Sequence, residues 1–369
     1  MPAQLDEAAA PKGSAQAVAN AKGEFHIPSL DGLRALSFAL VFAAHAGLDH
    51  VVPGGFGVTV FFFLSGFLIT TLMRREFDKR GTVSLKNFYV RRALRILPPF
   101  YLVLLVASVL TLVGVLPGKL EVSAVLAQAL HYANFRMIQA GADGFAAGTA
   151  VYWSLAVEEH FYLLFPLLFL FLNRLGCTRK TQALVLFGLC GAILVWRTLL
   201  VCGMGSESIR TYVGSDTRFD SILFGCALAL YGNPMLDAPT TNDRLWKYLL
   251  LPLGVAGLLA SFLIRGPVFR ETLRYSLQGV SLLPVFVCAM RFPEWAPMRL
   301  LNLKPFAFIG MLSYSLYLIH QVALFALTTV VVEPVPRALL ALLLALGLAW
   351  LMREVVEKPC ARLRKHFNA

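Results

Sequence analysis

Residues Ile27 to Leu48 read IPSLDGLRALSFALVFAAHAGL. The stretch is long and apolar enough to cross a bilayer, yet it carries Asp31, Arg34 and His45. An Arg or Asp near the centre of a span costs roughly 2.5–3.5 kcal/mol even on the milder insertion scales. A span that served only as an anchor would gain nothing from such residues. At about 100° per residue, the spacing from Arg34 to His45 comes within about 20° of whole turns, so both side chains share a face, roughly 16 Å apart. This pattern suits one long ligand lying along the helix, with a charged group at Arg34 and chemistry at His45. A neutral histidine can act as a general base near pH 7. The plainer reading is a histidine at an interfacial helix end, satisfied by a carbonyl; the arginine on the same face argues against it.

Outward from this stretch, the chain reads as an all-α integral membrane protein. Of its residues, 58% are hydrophobic and only 15% charged, against about 25% charged in a soluble domain. The apolar blocks run near the length a helix needs to span the bilayer, and alternating strand patterns of the outer-membrane barrel type are absent. About ten spans are expected, at 28–48, 54–73, 96–116, 152–173, 182–201, 217–232, 248–264, 275–290, 307–330 and 338–356. Lys and Arg concentrate in the loops and tails that share a side with the two termini, so both termini are expected in the cytoplasm. The net charge of +12 then mostly reflects topology. Nucleic-acid binding is a poor reading, because the basic residues are scattered over short loops. Residues 1–26 read as a disordered cytoplasmic tail rather than a signal peptide, 27–359 as the membrane domain and 360–369 as a basic tail. The six cysteines form no CxxC motif, so neither a disulfide framework nor a metal site is expected.

Five further stretches carry polar groups into or beside these spans. Between spans two and three lies RREFDKRGTVSLKNFYVRRALRILPPFY, with Arg91, Arg92 and Arg95 on a short amphipathic helix expected to end before Pro98-Pro99. Such a cluster can hold a nucleotide-type phosphate; taken alone, positive-inside charge and anionic-lipid contact explain it as well. GGFGVTVFFFLSGFLI (54–69) has glycines that allow close backbone approach, and a polar Ser65 in an aromatic run. VYWSLAVEEHFYLLFPLLF (151–169) holds Trp153 and two adjacent glutamates. Glu158 and Glu159 point about 100° apart, and a carboxylate at the depth of His45 would orient it or raise its basicity. A helix-start carboxylate favoured by the macrodipole is the alternative. In DTRFD (216–220), Arg218 and Asp220 either pair with each other or line a polar acceptor cleft. In MLSYSLYLIH (311–320), Tyr317 and His320 form an i,i+3 pair inside a span, explained by function or by interhelical hydrogen bonding.

Together the motifs resemble acyltransferase family 3. DGLRAL with His45 following Arg34, then GGFGVTVFFFLSGFLI, RRALRILPPFY, YWSLAVEEHFYLLFP, TRFD, SYSLYLIH and the terminal VEKP (Val356–Pro359) stand in the family's order from about Ile27 to Pro359. The resemblance implies an inner-membrane O-acyltransferase. It implies an acyl-CoA donor, usually acetyl-CoA, entering from the cytoplasm, and a hydroxyl of a sugar, glycolipid or other envelope molecule as acceptor. It implies His45 as the catalytic histidine, Arg34 as the arginine essential with it, and Glu158 as the glutamate of the WSLxxE motif. Arg91, Arg92 and Arg95 match the basic run, which with Arg34 and Ser65 would contact the donor. Asp31, Trp153, Arg218, Asp220, Tyr317 and His320 are the candidate acceptor contacts. The chain looks like the type without an appended hydrolase-like domain. Two other classes stand beside this one: a transporter or flippase for lipid-linked glycans, which should show paired broken helices in repeats, and a polar-lipid-binding scaffold, which needs no base at His45.

Overall fold

The computed structural model describes residues 27, 29–238 and 242–367. The expected tail at 1–26 lies outside them. Among the described residues, regular structure is helical throughout. Leu30–Ala43 (α1) continues as one π turn, Ala44–Leu48, and Gly54–Arg80 (α2) returns antiparallel to it. Leu85–Leu112 (α3) is followed by two short helices, Val122–Ala129 (α4) and Ala133–Ala140 (α5). Trp153–Arg174 (α6), Arg179–Thr198 (α7), the short Ser208–Val213 (α8) and Ser215–Leu230 (α9) come next. A single turn, Asp243–Leu245 (α10), leads through a π turn into Leu251–Leu263 (α11), then Pro267–Glu271 (α12) and Leu273–Arg291 (α13). Ala296–Arg299 (α14), Lys304–Ala326 (α15), Pro334–Met352 (α16) and Lys358–Arg364 (α17) complete the order.

Each of the expected spans coincides with a helix. Among the described residues, eight helices are long and apolar enough to cross a membrane by length and composition. The other two expected spans fall on α1 with its π turn and on α9. Helix α9 is short, yet nearly every residue of it is buried, because α2, α7 and α13 wrap it. The lipid-type surfaces lie elsewhere: on α7 and α16 most side chains are exposed and apolar, including Leu184, Val195, Leu339 and Leu343. Apolar residues facing outward from a bundle read as contact with hydrocarbon rather than water.

The basic stretch departs from expectation. Pro98 and Pro99 do not end a short helix; they lie inside α3, which runs through them. Two prolines leave the carbonyls of Leu94 and Arg95 without helical donors, and membrane helices tolerate this where neighbours supply hydrogen bonds. Beside the break, Tyr314 of α15 donates to the Ile96 carbonyl at 2.8 Å and ties α3 to α15. Arg91, Arg92 and Arg95 are thereby placed on the first turns of a long helix rather than on a free loop.

Two features hold the centre. The first is glycine contact. A Cβ at Gly57 would lie 2.5 Å from the Ser37 carbonyl oxygen of α1, one at Gly66 2.1 Å from that of Ile222 in α9, and one at Gly225 2.0 Å from that of Phe63. Only glycine permits backbones that close. The second is a buried ion pair: Arg197 of α7 meets Asp220 of α9 at 2.7 Å, both fully buried. Arg197 also donates to the Thr217 carbonyl and the Ser276 hydroxyl, each at 2.6 Å. This network answers the DTRFD question against an Arg218–Asp220 pair. Residues two apart on a helix point to opposite sides.

The helix ends sort into two faces. At one, which we call the basic end, α2 gives way to α3. There Arg74 donates to the Ala229 and Leu230 carbonyls at the end of α9 and pairs with Asp237. Arg179 pairs with Asp78 at 2.6 Å, and Arg91 with Glu76 at 2.8 Å and the Phe367 carbonyl at 2.7 Å. Both ends of the described chain lie on this side. The π turn after α1, the α4–α5 pair, α8 and α12 lie at the opposite end.

Glycine contact predicts a specific sensitivity. Gly66→Ala forces α2 and α9 apart and should cost about 1–3 kcal/mol, the usual range for overpacking. Gly188→Ala on α7, where an added Cβ meets nothing within 4 Å, should be neutral or slightly stabilising. Thermal unfolding of both purified variants in one detergent checks the contrast.

Candidate functional site

The polar residues of the spans gather around two cavities. The cavity on the side of the basic end has a volume of about 110 Å³ and draws its wall from five helices. Arg34 comes from α1, Ser65 from α2, Arg92 and Arg95 from α3, Glu158 and Tyr162 from α6, and Tyr314 and Tyr317 from α15. Helical spacing explains the convergence. Ser154, Glu158 and Tyr162 recur every four residues on one face of α6, as Val58, Phe61, Phe62 and Ser65 recur at threes and fours on α2. Ser65 and Tyr162 share a hydrogen bond of 2.6 Å. The Arg92 guanidinium lies over the Tyr162 ring, 5.6 Å from its centroid. Arg34 is held by Asp31 at 2.5 Å, one helical turn earlier. The wall therefore presents three arginines and one glutamate, which makes it an anion-attracting slot.

The cavity toward the opposite end is larger, about 560 Å³, and more polar. His45 and Asp49 enter it from the end of α1, Trp153 from α6, Tyr212 from α8, Glu271 from α12, and Arg274 and Tyr275 from α13. Its size falls in the usual range for sites that enclose a small molecule, roughly 300–1,000 Å³. Val58 and Tyr317 line both cavities, so these two side chains form the partition between them. The Tyr317 hydroxyl is tethered to the Ser154 hydroxyl at 2.7 Å and to the Val151 carbonyl at 3.1 Å.

His45 stands on the π turn, where Gly47 has φ 104°. It is exposed into the second cavity and is backed by His320, with Nδ1 of His45 3.1 Å from Nε2 of His320. His320 is fully buried, and its Nδ1 lies 2.8 Å from the Tyr317 carbonyl oxygen. A carbonyl only accepts, so in neutral His320 Nδ1 carries the proton and Nε2 is the acceptor. His45 then donates from Nδ1, which leaves its Nε2 lone pair free toward the cavity. The chain of bonds sets the tautomer a general base requires.

Several expected site residues fall elsewhere. Arg34 and His45 do share α1, but they open into different cavities that meet at Val58 and Tyr317. Glu158 joins the arginines and not His45: it lies more than one turn inside α6, which begins at Trp153, while His45 lies past the end of α1. Arg91 points away from the slot to Glu76 and the Phe367 carbonyl. Asp31 serves Arg34, and Asp220 is taken by Arg197, so neither carboxylate faces a cavity. Arg218 is fully buried behind the rings of Trp153, Tyr212 and Tyr275, which line the larger cavity. Tyr162, Tyr212, Glu271, Arg274 and Tyr275 were not singled out from the sequence. Tyr162 was legible, one turn beyond Glu158. The others sit in short helices and helix starts that carry no local motif.

The comparisons with known proteins bear on this geometry. The family model described as an acyltransferase domain, acyltransferase family 3, matches residues 27–354. The chain is 32% identical over 349 residues to the peptidoglycan O-acetyltransferase OatA of Listeria monocytogenes, covering 90% of this chain and 56% of that protein. It is 28% identical over 359 residues to the O-acetyltransferase OatA of Staphylococcus aureus, covering 93% of this chain and 58% of that one. A putative O-acetyltransferase of Staphylococcus aureus strain COL is 29% identical over 307 residues, 80% of this chain and 50% of that one. The chain spans about half the length of the curated relatives it matches. No solved structure matches it. With the family model covering nearly all of the two-cavity bundle, the chain belongs to acyltransferase family 3.

Proposed function

We propose that this chain is a multi-pass membrane O-acyltransferase that moves an acyl group, acetyl in the simplest case, from acyl-CoA to a hydroxyl of a carbohydrate. The single observation that carries the reading is the pair of cavities, one arginine-lined and one holding His45, that meet at Val58 and Tyr317. The ten helices at the expected spans would all cross the inner membrane, with both termini in the cytoplasm, so that the basic end obeys the positive-inside bias. The arginine slot then faces the donor's side and the His45 cavity faces the periphery. That the relatives include a peptidoglycan O-acetyltransferase supports a carbohydrate acceptor.

The slot is narrow. It admits an extended chain and not a nucleotide, so the nucleotide phosphates would rest at its mouth against Arg92 and Arg95, with the thioester arm running inward past Arg34 and Ser65. Tyr317 must turn aside from Ser154 for the acyl end to reach the larger cavity. There Nε2 of His45 takes the proton of the acceptor hydroxyl as its oxygen attacks the thioester carbonyl. The C–S bond breaks, the sulfur leaves with the electron pair, and the proton on His45 returns to it. His320 holds the ring in its tautomer and stabilises the charge it acquires. The flat faces of Trp153 and Tyr212 offer surfaces for a sugar ring.

His45→Gln keeps polarity and approximate volume but removes the base, and should lower transfer by at least ~10²–10⁴ with the protein still folded. Near wild-type transfer in that variant would remove His45 from the mechanism. His320→Leu should lower transfer by a smaller factor and displace the pH–rate profile, because the His45 tautomer is no longer set.

Arg92→Gln and Arg95→Gln should each raise the KM for acyl-CoA with little change in kcat at saturating donor, the signature of lost uniform binding. Arg91→Gln should leave that KM unchanged and instead lower the melting temperature, since it breaks the pair with Glu76. Initial rates across a donor series, with melting curves alongside, separate the two outcomes. Added salt should raise the donor KM of the wild type, because phosphate contacts at a cavity mouth are screened.

A further inference from the structure

The cavity that holds His45 is built around cations that lack carboxylates. Arg218 is fully buried behind its wall. Its Nη1 donates to the Tyr212 carbonyl at 3.2 Å and its Nη2 to the Thr59 hydroxyl at 3.0 Å, while its Nε has no partner. The guanidinium carbon lies 4.2 Å from the Tyr275 ring centroid and 5.6 Å from that of Tyr212. The acid two residues away, Asp220, is engaged by Arg197. Arg197, Arg218 and Asp220 together therefore leave one positive charge uncompensated in the core. On the cavity side of Tyr275, Arg274 lies 4.9 Å from the same ring, donates to its hydroxyl at 3.0 Å, and keeps a buried Nε without a partner. Arg270 and Arg265 stand exposed at the rim.

Among the described residues, none of Arg218, Arg265, Arg270 and Arg274 makes a salt bridge with a carboxylate. Pairing is available to arginines at this end of the bundle: Arg210 meets Asp216 at 2.5 Å and Arg136 meets Glu121 at 2.7 Å. The cavity's carboxylates offset only part of the excess: Asp49 and Glu271, which accepts from the Thr211 hydroxyl, stand against three lining arginines, with Arg218 behind the wall. An unpaired buried cation is costly, and an incoming anion that meets it lowers the energy of the complex rather than of the empty protein. The charge of the fully buried Arg218 is weakly screened by the protein around it and extends through the ring wall to the cavity.

We propose that the acceptor carries an anionic group, a carboxylate or a phosphate, which Arg274 binds directly with Arg218 behind Tyr275 reinforcing it. This deepens the proposed function and rests on it: the hydroxyl that His45 deprotonates belongs to an acidic sugar rather than a neutral one. Arg274 offers a planar fork suited to two-point contact with either oxyanion. Arg265 and Arg270 at the rim draw the anion in.

The test is binding of small probes to the full chain in nanodiscs of neutral lipid, by calorimetry at low salt. Glucuronate, glucose 6-phosphate and glucose share one ring and differ in the charged group. We expect at least one anion to bind about tenfold or more tighter than glucose, as a charge-assisted hydrogen bond implies. Tighter glucuronate assigns a carboxylate and tighter glucose 6-phosphate a phosphate; either supports the proposal. Arg274→Gln should abolish the preference, and Arg274→Lys should keep part of it. Arg270→Gln at the exposed rim guards against misfolding and should weaken the anion alone. Glucose bound as tightly as both anions overturns the proposal, as does a preference that survives Arg274→Gln. A neutral acceptor acylated as fast as an acidic one overturns this inference with the proposed activity intact. Anion preference without any acyl transfer leaves the site standing and overturns the activity.

Discussion

The approach of α2 to its neighbours at glycine contact is the constraint on which the rest depends. Gly57 sets α2 against α1, and Gly66 sets it against α9, with no room for a methyl group at either crossing. That closeness gives α2 two buried flanks. Its remaining face, Val58 through Ser65, is left to line the passage between the cavities. Hydrocarbon supplies no hydrophobic drive for helices to associate, so such crossings rest on packing and polar contacts. The Arg197–Asp220 pair adds the polar contribution on the far side of α9. A rigid α2–α9 core fixes where α1 and α15 must sit, and these two carry Arg34, His45, Tyr317 and His320.

Charge is divided along the bundle with the same economy. The arginines at the basic end mostly have carboxylate or carbonyl partners: Arg74 with Asp237, Arg91 with Glu76, Arg179 with Asp78. Those pairs fasten helix ends to one another. The arginines that line the slot and the larger cavity make no carboxylate pair among the described residues, except Arg34, paired with Asp31. Arg74 and Glu76 are buried, so their pairs do more than surface pairs: they satisfy charges that packing has removed from water. The cavity arginines carry a desolvation cost that a bound anion relieves. Stability and binding thus draw on different members of one residue type. Tyr317 stands where the two cavities meet, and its carbonyl also sets the tautomer of His320. The partition residue Tyr317 and the histidine that orients the base are therefore on a single turn of α15.

Much of the fold was legible because bilayer-length apolar blocks leave few alternatives. Every expected span found its helix, and the end of α1 carries His45 into a cavity as its polarity suggested. What escaped the sequence has physical reasons. Pro98-Pro99 read as a stop because each proline removes a helical donor, whereas α3 runs through the pair and is held beside it by Tyr314, from a helix far along the chain. Glu158 was placed at the depth of His45 because both lie toward the outer ends of their expected spans, yet Glu158 sits more than one turn inside α6 and His45 past the end of α1. For Arg218 and Asp220 two readings stood open, a mutual pair or a polar acceptor cleft; the pair fails because i,i+2 residues on a helix diverge, and Asp220 is taken by Arg197. The larger cavity's lining cations come from residues 265–274, the connection after α11, the short α12 and the first residues of α13, where no periodicity marks them. Local motifs revealed the slot, while the acceptor side is assembled by tertiary packing.

The account's central claim is that donor and acceptor reach the partition from opposite ends. It is tested most directly in sealed proteoliposomes of uniform orientation, with acyl-CoA supplied on one side and the sugar acceptor on the other. The account predicts acylated acceptor only when acyl-CoA is on the side of the basic end and the sugar is on the side of the His45 cavity. Transfer with both substrates confined to a single side would contradict it.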